Sequence, residues 1–349
     1  MINMFIADNS PGRTVIVDGK EFLFFSGTAY LGISKNESFH SLLKDGISRY
    51  GSNFSSSRKN NFRLKIFEEA ETALARFVNA PSCITVSSGY MAGQIVVRAL
   101  EGKGEFFYAP ATHPALWRRA EDFSSGDFKG WSERIADEVS KSRENEIIIL
   151  ANSIDALLSI EYKFDWVKDL PDNKNIILIV DDSHGLGLIG REGRGVYEMI
   201  PDKSNVTKIV TGSIGKAMGL PGGAIFSSAE FIQKVLSGPW FGTSSPMNPA
   251  YLYAYLKGQE IFSSALIKLK SNVELLRKLI GGLNNFNSIP GYPVFYFNDQ
   301  LLSEKLLKHN IIISSFPYPL PEDDIASRIV LNSHHTQDDI RFLAEKLKG

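Results

Sequence analysis

Cysteine is almost absent: Cys83 is the only one in 349 residues. No internal disulfide can form, a structural zinc site built on cysteines is excluded, and the usage fits a reducing cytoplasm. Charge of one sign is not in surplus either, with 38 Lys and Arg against 39 Asp and Glu. Nucleic acid and anionic membranes both demand a basic excess, so neither is expected as a partner. Long apolar runs are missing. Residues 147–151 form one of the longest, far too short to span a bilayer. Residues 1–18 show no basic start followed by an apolar stretch, so no signal peptide is expected. Internal repeats and low-complexity tracts are absent, and no metal site is assigned.

What is present is a globular composition, 43% hydrophobic and 22% charged. The length suits one large domain plus a smaller one. Short, fully apolar runs at 83–86, 106–108, 147–151, 176–180, 208–210 and 224–226 read as strands buried on both faces. Amphipathic segments lie between them; in 64–78, Ile66, Ala70, Leu74 and Phe77 share one face. The alternation predicts an α/β fold, a mainly parallel sheet sandwiched by helices, with active residues at the carboxyl ends of its strands. A long helical pattern covers 249–283. Beyond Pro290 the texture changes to short strands at 294–297, 311–314 and 328–332, around a helix at 301–309, with a last helix at 336–347. The expected division is an arm at 1–35 that packs with the small domain, a large domain at 36–248, a linking helix at 249–291 and a small α+β domain at 292–349. Within the arm, 14–20 reads as a hairpin on an Asp-Gly turn.

Five places carry chemistry. Asp181-Asp182-Ser183-His184 follows an apolar strand, which sets Asp181 at the mouth of the sheet. A carboxylate there can keep a pyridinium nitrogen protonated and make the ring an electron sink, while His184 reaches a ring oxygen. The same residues also fit a metal site or a capping Asp with a surface His. Thr211-Gly212-Ser213-Ile214-Gly215-Lys216 follows the next strand, and then comes Gly222-Gly223. Small residues let a backbone pass close to a bulky ligand; Ser213 could hold a phosphate while Lys216 forms an imine. Alone, Lys216 fits an ordinary surface lysine. Ser87-Ser88-Gly89-Tyr90 is a turn opening a helix, which offers the Gly89 and Tyr90 amides to an anion; it also fits a plain strand-to-helix turn. His113, in a Pro-flanked loop after 106–108, suits stacking on an aromatic cofactor or a helix cap. Arg328 suits a substrate carboxylate or a surface strand.

Taken in order, these residues resemble the fold-type-I pyridoxal-phosphate enzymes of the class I/II aminotransferase superfamily, and within them the α-oxoamine synthase group. Asp181 to Gly195 reads Asp-x-x-His-Gly…Gly-Arg-Gly, and Ser213 opens Ser-x-x-Lys-Ala-x-Gly…Gly-Gly. Ala29-Tyr30-Leu31-Gly32, Ser56-Ser57-Arg58 with Phe67-Glu68, Phe241 to Pro246, and Arg328 with His335-Thr336 match further segments. The resemblance implies a seven-stranded-type sheet and pyridoxal 5'-phosphate held by Lys216 as a Schiff base. It also implies Asp181 on the pyridinium nitrogen, His184 on the ring oxygen and His113 stacked on the ring. Gly89, Tyr90 and Ser213 hold the phosphate, which Thr243 or Ser244 of a second subunit completes, so a homodimer is expected. Arg328 holds the amino-acid carboxylate. The departures fall on the substrate side: Thr28-Ala29 replaces Asn-Asp, 152–158 replaces Ser-Met-Asp-Gly-Asp, and a glycine is missing from Lys59-Asn60-Asn61.

The activity implied is a decarboxylating condensation of an amino acid with an acyl thioester, on CoA or an acyl carrier. An aminotransferase on the same scaffold is the second reading, and a non-catalytic cofactor-binding protein the third. Joint retention of Lys216, Asp181 and His113 speaks against the last.

Overall fold

Apolar, β-branched runs fill both faces of a central sheet. The structure, a computed structural model, describes residues 4–283, 285–317 and 325–348. It divides into two units, the larger made of Glu37–Ile154 and Glu161–Gln259. Its sheet has the strand order Ser82–Val86, Gly223–Ser227, Val206–Ser213, Asn175–Asp181, Glu146–Asn152, Glu105–Tyr108. The last four run parallel, and Gly223–Ser227 is antiparallel to both its neighbours. Five strands therefore end at the same edge, where ligands of open α/β sheets bind. Helix Gly89–Leu100 covers one face; Ile95, Val96 and Leu100 belong to a core with Ile148, Leu150, Ile179, Ile209 and Ile225. Each such aliphatic side chain, once buried, stabilises the fold by about 1.5–3 kcal/mol.

Two expectations change. The sheet has six strands among the described residues, not seven. Past its Glu105–Tyr108 edge the chain runs through the 3-10 turns Pro114–Leu116 and Ala120–Asp122. Pro110 and Pro114 lack the N–H donors a further ladder needs. The helical pattern at 249–283 is also two helices, Pro249–Lys257 and Gln259–Ile280, parted at Gly258. Apolar periodicity continues across the break, so it leaves no trace in the pattern. The first of these helices belongs to the larger unit and nearly all of the second to the smaller. Where Pro249–Lys257 meets Glu37–Tyr50, a Cβ on Gly46 would sit 2.6 Å from the Ala250 carbonyl oxygen, so the close approach requires glycine there.

The smaller unit collects the chain up to Asn36, Asp155–Ile160 and the chain from Glu260 onward. Its five-stranded sheet has the order Thr14–Val17, Lys20–Phe25, Ile311–Pro317, Ile325–Val330, Val294–Phe297. The first two form a hairpin with Asp18 and Gly19 both at positive φ, the turn that matches strand twist. Lys20–Phe25 pairs in parallel with Ile311–Pro317, which brings the start of the chain into this sheet. Arg13 grips the Asp339 carboxylate with two bonds, 2.7 and 2.6 Å. No helix among the described residues is long and apolar enough to cross a membrane.

His335 is fully buried and stacked on Phe25 at 4.0 Å between ring centroids. Its Nδ1 accepts the Asn332 N–H at 3.0 Å, and its Nε2 lies 3.1 Å from the Phe24 carbonyl oxygen. That pattern suits neutral imidazole, and burial depresses its pKa to about 4. The folded chain therefore refuses a proton that the unfolded chain accepts below its ordinary value of about 6.5. Stability from this residue should be complete above that value and fall, by on the order of 3 kcal/mol, as pH drops towards 4. Urea unfolding of the unaltered chain and of His335→Gln across this range checks it; equal slopes would disprove it.

Candidate active site

The strand ends assemble the site. Parallel pairing sets Asp181 opposite both Asn152 and Thr211. Beyond the ladder the stitching continues: the Asp182 N–H donates to the Thr211 carbonyl at 2.8 Å, and the Ser213 N–H to the Ser183 hydroxyl at 2.8 Å. The loop after Ser213 closes on itself through Ile214 N–H to the Gly222 carbonyl (3.1 Å) and Leu220 N–H to the Ile214 carbonyl (2.9 Å). It presents Lys216, half-buried, with Nζ 2.7 Å from His184 Nε2. Asp181 is buried, and its Oδ1 accepts the Ser183 N–H at 2.8 Å. His113 is half-buried; its Nδ1 accepts the Ala115 N–H at 3.1 Å. Burial lowers the His113 pKa, with Asp181 pulling it up and Lys216 pushing it down. Lys216 thus touches His184, and His113 lies within electrostatic reach of both Asp181 and Lys216.

The helix Gly89–Leu100 starts beside them. Ser88 caps it by accepting the Met91 N–H at 3.1 Å. The Gly89 and Tyr90 amides belong to the first turn, whose N–H groups have no intrahelical acceptor. Gly89 lies against Ser213: a Cβ on it would be 2.6 Å from Ser213 Cβ. The Tyr90 side chain is exposed. Thr243 and Ser244 lie beside that helix start. They line a surface depression of about 280 Å³ with Tyr90, Met91, Gln94 and Trp240, and their hydroxyls donate to the Pro239 and Phe241 carbonyls. Arg328 lies in the smaller unit, where Nη1 donates to the Ala156 carbonyl at 2.8 Å and Nε is buried without a hydrogen-bond partner among the described residues.

The glycines have a different purpose from the one expected of them. Gly222 and Gly223 make room for the protein: a Cβ would meet Met247 Sδ at 2.6 Å and the Ser88 carbonyl oxygen at 2.1 Å. Gly185 and Gly195 make room for Asp182, since their Cβ atoms would lie 2.1 Å from Oδ1 and 2.2 Å from Oδ2. Sequence reasoning also missed Asn152. Its side chain accepts the His113 N–H at 3.0 Å and donates to the Ala111 carbonyl at 2.7 Å, and so holds the histidine loop. Its place at the end of a buried strand was the available signal. No cluster of metal-ligating side chains occurs among the described residues.

A lysine amine, a carboxylate and a helix start at the carboxyl end of a mainly parallel sheet define an α/β protein with an anion-accepting end. The chain belongs to the class I and II aminotransferase family, whose sequence model matches residues 25–347. It is 29% identical over 346 residues to a putative 8-amino-7-oxononanoate synthase of Methanococcus vannielii, covering 93% of this chain and 91% of that one. It is 25% identical over 361 residues to the 8-amino-7-oxononanoate synthase of Thermosipho melanesiensis, covering 98% and 91%. Among solved structures, the serine palmitoyltransferase of Sphingomonas wittichii shares the fold with a TM-score of 0.83 at 18% identity, over 99% and 91% of the two chains. The 8-amino-7-oxononanoate synthase of Francisella tularensis shares it at 0.73 and 21%, over 93% and 96%.

Asp182 is fully buried. Its Oδ2 accepts the Val196 N–H at 2.9 Å, while Oδ1 and the Ser153 hydroxyl lie within electrostatic reach but outside hydrogen-bond geometry. Burial raises its pKa to about 7, and the neighbouring Asp181 charge adds to this. The folded chain holds a proton that the unfolded chain releases near its ordinary value, so this contribution to stability is lost as pH rises through about 7. Asp182→Asn should remove that decline. Unfolding free energies measured from pH 4 to 8 on both proteins test it, and parallel curves would refute it.

Proposed function

We propose that the chain is a pyridoxal-phosphate-dependent acyltransferase of the α-oxoamine synthase type, joining an amino acid to an acyl thioester with loss of carbon dioxide. The observation that carries this reading is the Lys216 amine resting on His184, beside buried Asp181, at the strand ends. The full-length likeness to chains named 8-amino-7-oxononanoate synthase supports it. The residues fit the cofactor. Gly89 packs directly on Ser213, and the first-turn amides beside it have no intrahelical acceptor, so they are donors for a phosphate. Asp181 offers a carboxylate to the ring nitrogen, and His113 an imidazole whose burial favours the neutral form. When bound, pyridoxal phosphate supplies an electron sink for the charge left on a substrate α-carbon.

The chain's own residues do the rest. Lys216 would hold the cofactor through its amine, and that amine would take the substrate α-proton and return one after decarboxylation. His184 would accept a hydrogen bond from the Lys216 amine and keep it in place. Asp181 would hold the ring nitrogen in its protonated form, and His113 would help hold the ring. Arg328 holds the amino-acid carboxylate. Thr243 and Ser244 complete the phosphate site of a second copy in a homodimer. A single buried cysteine suits a reducing cytoplasm as the place of work.

Aminotransfer remains the second reading, since the family description covers it. The reactions part at their products: release of a free thiol from acyl-CoA plus an amino acid supports acyl transfer, and a keto acid without thiol release supports aminotransfer. Lys216→Ala is expected to abolish the absorbance of the lysine–cofactor adduct and to lower turnover about a thousandfold or more. An unchanged spectrum in that variant would sink the assignment.

A further inference from the structure

The larger sheet has a free edge at Ser82–Val86, whose one strand neighbour among the described residues is Gly223–Ser227. Thr85 pairs in register with Ala224, yet its outward backbone groups are taken by side chains. Glu71 Oε1 accepts the Thr85 N–H at 2.6 Å and the Thr85 hydroxyl at 2.8 Å. Arg58 Nη1 donates to the Thr85 carbonyl at 3.3 Å. Arg58 also grips both oxygens of Glu71, with Nη2 to Oε2 at 2.8 Å. Its guanidinium lies over Phe67 and Phe241, 4.3 and 5.3 Å from the ring centroids. Thr85 and Glu71 are buried. An acid and an arginine thus stand in for the missing strand at one residue, and they satisfy both of its outward backbone groups. Glu71 does this, not Glu68, which is exposed.

Thr85 lies just before the turn that opens the anion-binding helix. Val86 is locked opposite Gly223, and Ser88 caps the helix. The way Thr85 is held therefore sets where the Gly89 and Tyr90 amides point. The same short stretch reaches a second segment. The Ser57 hydroxyl donates to the Gly242 carbonyl at 2.7 Å, and Lys59 Nζ to the Ser237 and Gly238 carbonyls at 3.2 and 3.4 Å. A Cβ on Gly242 would lie 2.4 Å from Lys59 Cδ, so a side chain there would push Lys59 aside. Ser57, Arg58 and Lys59 tie the sheet edge to the segment that ends in Thr243 and Ser244.

We propose that the Arg58–Glu71 pair is a positioning device: it pins the sheet edge at Thr85 and thereby presets the Ser88–Tyr90 turn for a phosphate. The inference rests on reading that turn as the cofactor's phosphate site. Neither residue touches the reacting atoms. A merely structural pair would change stability alone, whereas a positioning pair changes the preference for pyridoxal 5'-phosphate over pyridoxal, which lacks the phosphate.

The test uses the full chain with Arg58→Lys and Glu71→Gln, titrated with each aldehyde and followed by adduct absorbance. Both variants should keep the pyridoxal affinity of the unaltered chain and bind pyridoxal 5'-phosphate about tenfold or more weakly, the scale of a misplaced hydrogen bond to a charged group. An unchanged preference in a folded variant, or an equal loss for both aldehydes, would overturn the proposal. Amide hydrogen exchange of the cofactor-free proteins separates the two claims. Faster exchange confined to Thr85–Tyr90 supports the clamp even if the unaltered chain forms no adduct, an outcome that would instead sink the cofactor reading. Exchange unchanged there would overturn the clamp. If neither variant folds, Thr85→Val, which removes one bond to Glu71, carries the same comparison at smaller amplitude.

Discussion

The parallel pairing of Asn175–Asp181 with Val206–Ser213 is the constraint on which the site depends. It sets Asp181 opposite Thr211, and the loops beyond keep that alignment through backbone and Ser183 bonds. A carboxylate and the loop that carries an amine, from separate segments of the chain, are thereby set at the same end of the sheet. Parallel strands buried on both faces are costly to shift, because a slip of one residue would turn every side chain to the other face. The rigidity of the core becomes the precision of the site.

The same end of the sheet shows how closely the backbone is packed there. Gly185, Gly195, Gly222 and Gly223 leave no room for a Cβ because protein atoms already occupy that space. In the case of Gly185 and Gly195 the occupant is a carboxyl group with one unpartnered oxygen. Burying it costs stability when it ionises, and it holds the loop that follows His184 through Val196. Similar logic governs the sheet edge, where Arg58 and Glu71 replace a strand with two side chains. Both devices use a buried acid to hold the backbone near the strand ends.

Much of this was legible in the residues. The strands could be read because each is apolar on both faces, and the helix at Lys65–Val78 because its apolar stripe repeats at helical spacing. Lys216, Asp181, His184 and His113 could be proposed because each follows such a strand, and the Lys216 amine lies on His184. Other features were hidden for physical reasons. Gly258 interrupts a helix without interrupting its periodicity. Glu68 and Glu71 sit on the same helix, and only packing decides which one faces the sheet edge. Asn152 acts through backbone groups that any residue could supply, so its partners carry no signature.

The sequence by itself determined the local matters: which runs become strands, where their polar ends fall, and that one lysine and one aspartate stand at two of those ends. These follow from burial and periodicity, which neighbouring residues decide among themselves. Only the tertiary structure decided which ends meet, which glycines serve protein rather than ligand, and which acid completes the sheet edge. Those depend on atoms distant along the chain competing for the same few ångströms of space.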